Sequence, residues 1–570
     1  MGRTMKAERF FFSILLALLL GAVVAFPVLR AEEKGKKESD AVLHGKIQQT
    51  LLEGVKFLMS KRAKDGLWYY SNKMYPMGTT ALVLYALTLS GISPKDPVFV
   101  KALEGLLKFV DKLKVDKVTT YELGLSILCL EAVDRKKYAT QILKLKKVLM
   151  DRQTKSGGWD YRKPTYMSTG RKTSQRTDWS NTQFAVLGLA AAMRAEEGGY
   201  VFRRRRAPDH WLRLREYILN TYLKDYSGWP YCPTVADRSK LRPTPSMTAA
   251  AIASTLLTYS SLNNTRRFPC GSDRALLDLV DAGLAYFEKN PRLVFPTRLT
   301  SLAAFATYRM YAIERVGFYT GLRKIGGIDW FRVGAKLIMS AARANGGWKD
   351  IPGAAFAVLF LSKGRWPIVI QKLKWGKGWN DCPLDLLRLT EKASEAFERK
   401  EIEKIVTTAT AYMPTPRVGK RCTWVTLTFD TPFEKWLEIP MLLLSGQKFP
   451  AFTEEQEEML YRYAMSGGLI IADTCVGSRD FDEGFRKFVA RKFPGYELKL
   501  LPRDHPIYSS WYRVYVPLEG FVGPHGRLMA LYCPEGMSAE WESGNPGSKG
   551  SRMGVNIIKY VTDNVPGIWH

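Results

Sequence analysis

A thiol, an imidazole and several carboxylates fall beyond short apolar runs in the last third of the chain. Asp473-Thr474-Cys475-Val476-Gly477 follows one such run, Asp381 and Cys382 follow another, and His505 sits in a polar stretch further on. A thiolate activated by a neighbouring imidazole attacks amides and esters, so Cys475 and His505 could act as nucleophile and base. The competing reading is a small buried cysteine with an inert thiol. A metal held by Asp381, Asp473 and His505 is the lesser alternative, and no metal or cofactor is expected.

A second cluster lies earlier, in Asp178-Trp179-Ser180-Asn181-Thr182-Gln183, leading into Phe184-Ala185-Val186-Leu187. A cap could use Asp178 or Ser180 to satisfy free amide groups at a helix start. It would not employ Asn181 or Gln183 one turn in. A polar group of this kind at the mouth of an apolar barrel suits a bound sugar or a polar chain end.

Those residues must be positioned by the elements around them. Residues 79–90, 119–132, 180–194, 248–261, 300–314 and 354–362 are Ala- and Leu-rich helices, apolar nearly all round, and such helices must be buried on both sides. They alternate with one-sided charged helices at 42–61, 97–113, 138–152, 209–224, 273–289 and 329–343. Six polar-faced outer helices and six apolar inner helices are enough to close a double barrel. Aromatic turns recur between them: Gly66-Leu67-Trp68-Tyr69, Gly157-Gly158-Trp159-Asp160, Gly228-Trp229-Pro230 and Gly346-Gly347-Trp348-Lys349.

Gln153-x-x-x-Gly157-Gly158-Trp159 resembles the glutamine–tryptophan repeat of squalene cyclases. The pattern over residues 45–362 is similar to the α/α-toroid they share with protein prenyltransferases. That resemblance implies a fold and a structural role for the Trp. The family's chemistry is not carried over. The acidic Asp-x-Asp-Asp of squalene-type cyclases and the magnesium-binding Asp-Asp-x-x-Asp are both missing. Only His44 and His210 are available to a prenyltransferase-type zinc site, on or beside outer helices.

After residue 365 apolar strands alternate with helices, which predicts a doubly wound parallel sheet. The expected architecture is therefore an all-α (α/α)6 toroid over 42–365 followed by an α/β domain over 366–570. The second part resembles a bacterial domain family of unknown function with a class I glutamine amidotransferase-like fold. Met441-Leu442-Leu443-Leu444-Ser445-Gly446, Gly467-Gly468-Leu469-Ile470-Ile471-Ala472-Asp473 and Phe481-Asp482-x-x-Phe485-Arg486 carry the resemblance. Amidotransferases mount their nucleophile on a Gly-x-Cys-x-Gly elbow. Here Asp473 replaces the first Gly, no His-x-Glu motif follows, and His505 is the one base in view. Parallel sheets bind ligands beyond the carboxyl ends of their strands, which places Asp381, Asp473 and Cys475 around one crevice.

Arg3, Lys6 and Arg9 precede an apolar run at 10–26, the pattern of a secretory signal or an N-terminal anchor ending near residue 31. The protein is thus expected to be periplasmic or in the cell envelope, with membrane association possible. Of the formal charge of +30, nearly all lies before residue 366: 59 Lys and Arg against 30 Asp and Glu there, and 26 against 25 afterwards. For an exported chain this argues against nucleic acid. An anionic envelope polymer, a glycan or a lipid head group fits the basic part better, unless the charge merely keeps the barrel soluble. Seven cysteines scattered over 570 residues do not read as a disulfide framework. A non-catalytic binding or scaffold protein is the favoured reading, with a Cys475 and His505 hydrolase as the alternative.

Overall fold

The computed structural model describes residues 40–563 apart from 72–73, 163–175, 197–207, 235–237, 264–270, 272, 345–346, 364–365, 406–420, 476, 525 and 546. The expected signal segment lies outside the described residues. Twelve helices of the first part alternate between two layers. The outer layer holds α1 (Asp40–Ser60), α3 (Pro97–Asp111), α5 (Ala139–Asp151), α7 (Asp209–Thr221), α9 (Arg274–Lys289) and α11 (Trp330–Arg343). The inner layer holds α2 (Pro76–Ser90), α4 (Thr120–Asp134), α6 (Trp179–Ala195), α8 (Pro245–Asn263), α10 (Ala304–Thr320) and α12 (Ile351–Lys363).

Burial separates the layers as the residue types require. In α3 the buried residues are Phe99, Ala102, Leu103, Leu106 and Val110, a single stripe at helical spacing. In α6 fifteen of seventeen residues are buried. Each inner helix packs on the next, and α12 packs back on α2, so the ring closes. Helices α4 and α6 approach most closely at Gly124, where a Cβ would stand 2.3 Å from the Phe184 carbonyl oxygen. Helix α10 runs further than the expected 300–314. The Glu314-Arg315 pair that looks like a polar end is buried within it, the two side chains bonded to each other over 2.5–2.7 Å.

The aromatic turns staple the layers together. The indole N–H of Trp68, Trp159 and Trp229 donates to the carbonyl of Leu58, Leu149 and Ile218, near the end of the preceding outer helix. The backbone N–H of each Trp donates to Thr80, Thr182 or Thr248 on the following inner helix. All three rings are fully buried. Gln153 adds a tie, donating to the Gly157 and His210 carbonyls and accepting from Arg213.

The second part is a seven-stranded sheet flanked by helices. Its strands are β1 (Ile368–Leu373), β2 (Thr423–Leu427), β3 (Met441–Ser445), β4 (Leu469–Asp473), β5 (Lys499–Leu500), β6 (Glu519–Val522) and β7 (Leu528–Cys533), in the spatial order β2-β1-β3-β4-β7-β6-β5. Strands β2, β1, β3, β4 and β7 are parallel. Strands β6 and β5 are antiparallel to their neighbours, so the sheet is mixed and not wholly parallel as expected. Helices α14 (Glu454–Met465) and α15 (Arg479–Lys492) cover one face through Leu460, Tyr463, Phe481, Phe485 and Phe488. Helices α13 (Asp385–Ile405), α16 (Ser538–Ser543) and α17 (Lys549–Asp563) pack on one another.

The two parts are joined by contacts at the C-terminal ends of the inner helices. Thr426 of β2 bonds the Thr320 and Gly321 carbonyls, Glu395 of α13 takes both terminal nitrogens of Arg135, and α16 packs on α8. The N-terminal ends of the inner helices are left at the other mouth of the ring.

Candidate functional site

That mouth is aromatic. Tyr231 and Tyr161 sit on the turns leading into the ring, their hydroxyls 3.4 Å apart, and both are more than a third exposed. Thr120 holds the Tyr161 turn against the start of α4 by bonds to the Asp160 and Tyr161 carbonyls. Tyr161 then stacks on half-buried Tyr121 at 5.8 Å, and Tyr121 meets Phe184 at 4.8 Å. Phe184 contacts Tyr308, Tyr311 and Phe356 with centroids 6.1–6.3 Å apart. These rings run from the surface to the axis, where they fill the middle of the ring. Phe305, in the first turn of α10, is 92% exposed.

The polar cluster divides in two. Asp178 accepts from the Ser180 hydroxyl at 2.6 Å, from the Asn181 backbone at 2.8 Å and from the Asn181 side-chain amide at 2.8 Å. Capping thus absorbs Asn181 as well as Asp178 and Ser180, contrary to the expectation that a cap would leave Asn181 unused. Trp179 is fully buried against Tyr217 and Trp229, in the core between the layers. Gln183 reaches the aromatic rings, its Oε1 accepting from the Tyr308 hydroxyl at 2.7 Å. Its Nε2 is buried with no partner, as is Asn181 Oδ1. Burial holds the Tyr121 and Tyr308 phenols well above their ordinary range, so both stay protonated donors. The sequence singles out Gln183 and not the tyrosines beside it. Their signal was large aromatic residues placed near the starts of helices otherwise made of Ala and Leu.

At the sheet's carboxyl edge the expected catalytic pair does not form. Cys475 has φ of 65°, the left-handed backbone of a strand–turn–helix elbow, despite Asp473 standing in place of glycine. Asp473 itself supplies the clamp, accepting from the backbone N–H of Cys475, Met537 and Ser538 and from the Ser538 hydroxyl. Yet Cys475 is 1% exposed and its sulfur lies 3.0 Å from that of Cys382, also 1% exposed. His505 caps a short turn through Nδ1 and packs on Tyr508 and Tyr560. It follows β5, three strands from β4, which is about 14 Å at the usual strand spacing. Cys475 is thus buried against Cys382, and His505 follows a strand three places away in the sheet.

Asp381 does not line an open crevice either. Its carboxylate meets Arg274 at 3.2 Å, and its carbonyl accepts from Tyr259 and Gly271 of the toroid. The edge where an open α/β sheet would bind a ligand is thus built into the joint with the toroid. Behind it lies a buried polar network. Lys372 Nζ bonds Asp385 at 2.7 Å, Asn380 at 3.0 Å and the Cys382 carbonyl at 2.9 Å. Glu542 accepts from the Leu384 backbone through Oε2, while its Oε1 is buried without a partner. Burial, with the charge of Asp385 adding, pushes Glu542 up to about 7. Among the described residues no group of three or more His, Cys, Asp or Glu could hold a metal ion.

Together these features define an α/α-toroid joined to a mostly parallel α/β domain. Residues 425–562 match the family described as Domain of unknown function (DUF4159). Among solved structures the chain is similar to the GH76A α-1,6-mannanase of Salegentibacter sp. HEL1_6, at 9% identity and a TM-score of 0.41, covering 56% of this chain and 98% of that one. It is also similar to an unsaturated glucuronyl hydrolase specific for heparin, at 13% identity and a TM-score of 0.38, covering 57% and 97%. A third similarity is to the type II terpene cyclase MstE from Scytonema, at 13% identity and a TM-score of 0.34, covering 56% and 99%. At these values nothing about substrate or chemistry carries over. No curated protein matches the sequence. No described helix is long and apolar enough to cross a membrane.

Proposed function

We propose that this is an exported binding protein of the cell envelope whose toroid mouth receives an anionic saccharide chain, with the α/β domain serving as its base. The observation that carries the reading is the run of rings from Tyr231 through Tyr161, Tyr121 and Phe184 to Tyr308, ending beside the unpartnered amide nitrogen of Gln183. The C–H face of a pyranose is weakly positive and meets the negative face of an aromatic ring. Its hydroxyls need fixed donors and acceptors such as a phenol and an amide. The preference for an anion rests on exposed Arg176, whose guanidinium feels Asp160 and Tyr231 beside the platform, and on the basic balance before residue 366.

The α/β domain is read as amidotransferase-like in its elbow and as non-catalytic in its use. The left-handed Cys475 supports the first point, and its burial beside Cys382 supports the second.

The test is titration of the full chain with a polyuronate and with a neutral glucan at low ionic strength. The expected result is binding of the polyuronate, weakened steeply by salt and at least tenfold by the double variant Tyr161→Ala, Tyr231→Ala. Unchanged affinity in that variant would overturn the site, and equal affinity for the neutral polymer would overturn the charge preference.

A further inference from the structure

Two cysteine sulfurs approach each other closely at the joint between the two parts. Cys382 follows β1 and Cys475 follows β4, and their sulfurs are 3.0 Å apart in a pocket shared with Ala539. Each cysteine lies within two residues of one that holds the joint: Asp381 precedes Cys382 directly, and Asp473 stands two before Cys475. Asp381 bonds Tyr259, Gly271 and Arg274 of the toroid. Asp473 clamps the start of α16, and α16 packs on α8. The path from Tyr259 through Asp381, Cys382, Cys475, Asp473 and Ser538 back to α8 is therefore a closed circuit, with the sulfur pair at its centre.

We propose that Cys382 and Cys475 are joined as a disulfide in the working protein, and that the bond locks the carboxyl edge of the sheet onto the toroid. The bond forms by thiol–disulfide exchange with an oxidant that itself carries a disulfide. One thiolate attacks the oxidant's disulfide and displaces one of its sulfurs. The second thiolate then attacks the mixed disulfide, so two electrons pass to the oxidant, which leaves as a dithiol carrying the two protons that the cysteines gave up. Both sulfurs are 1% exposed, so the exchange occurs before the edge docks, and the finished bond is shielded from reductant afterwards. Cys129, Cys232 and Cys533 remain unbridged. The bond closes a loop spanning 93 residues, a length at which a crosslink strongly restricts the unfolded chain.

The experiment uses full-length protein collected from the exported fraction, unfolded in N-ethylmaleimide without reductant and digested. A Cys382–Cys475 crosslinked peptide is expected, with maleimide on Cys129, Cys232 and Cys533. Maleimide on both Cys382 and Cys475 would overturn the proposal. Hydrogen exchange then tests the lock: protein refolded in reductant should exchange faster than oxidised protein at 271–274 and 538–543. The variant Cys382→Ser, Cys475→Ser should exchange at one rate in both conditions. If that variant does not fold, the thermal midpoint of wild-type protein with and without reductant replaces it, with a fall of several degrees expected on reduction. Equal exchange in the oxidised and reduced protein would show that the bond, even if present, does not lock the joint.

Discussion

Phe184 of α6 meets Phe356 of α12 across the axis of the ring, their centroids 6.3 Å apart. Opposite walls of the toroid therefore touch, and the central space is a packed aromatic core under the mouth. Phe184→Ala would remove contacts to Tyr121, Tyr308, Tyr311 and Phe356 at once. A loss of about 3–5 kcal/mol is expected from chemical denaturation, the range for a large buried ring. A loss under 1 kcal/mol would mean that the walls collapse inward and that the contact is not structural.

Gln183 separates binding from folding. Gln183→Leu removes an unpartnered buried amide nitrogen, at the cost of the acceptor for the Tyr308 hydroxyl. Stability is expected to change by no more than about 1 kcal/mol. Polyuronate affinity, if the mouth is the binding site, should fall about tenfold, the worth of one well-placed hydrogen bond. Equal affinity of the variant and wild type, measured by calorimetry, would remove Gln183 from the site.

The tryptophan staples are testable one at a time. Trp159→Phe keeps a ring in the turn while losing the N–H that bonds the Leu149 carbonyl at 2.8 Å and leaving that acceptor buried. A cost of about 1–3 kcal/mol in denaturant unfolding is expected. Stability equal to wild type would show that the turn is held by packing alone.

Lys372 and Asp385 form an ion pair in which both side chains are fully buried. Lys372→Met leaves the carboxylate without its cation, and the expected loss is about 3–5 kcal/mol. The double variant Lys372→Met, Asp385→Leu should recover most of it, because two apolar groups replace two desolvated charges. Failure of the double variant to recover would assign the cost to lost packing around Asn380 and Cys382.

Glu542 gives the joint a pH dependence. Its folded value of about 7 lies above the ordinary 4.5, so between those limits the folded protein holds a proton that the unfolded chain has released. Stability is then full below about 4.5 and falls as pH rises to 7, by about 3 kcal/mol in all. Glu542→Gln should remove that fall and be the more stable form at pH 8. Parallel urea midpoints for wild type and variant at pH 5 and pH 8 would contradict it.

The fold was legible because both periodicities were strong. Helices such as Thr80 to Leu87 are apolar on every side and admit only a buried position, and the Gly-Trp turns mark each return of the chain. The far edge of the sheet was not, because β6 is four residues long with Gly520 inside it and carries no alternation to mark its direction. Asp381 was read as a ligand group from its place after a strand. Nothing in its neighbours reveals that Tyr259 and Arg274, more than a hundred residues earlier, would cover it. Cys475 was legible as an elbow residue, whereas its contact with Cys382 depends on a crossing of loops that spacing along the chain does not encode.

A ring differs from an open stack of repeats in having no free end, and this governs how the chain can be made. Helix α2 emerges early and finds α4 at once, but its other flank belongs to α12, more than 250 residues later. Until α12 arrives, a helix apolar on all sides presents one bare flank to whatever is nearby. The last contact to form is thus the one between the most distant partners, which makes closure slow and the unfinished arc adhesive. Any truncation before Ile351 would leave that arc open permanently, with the apolar edges of both α2 and α10 exposed to a second copy.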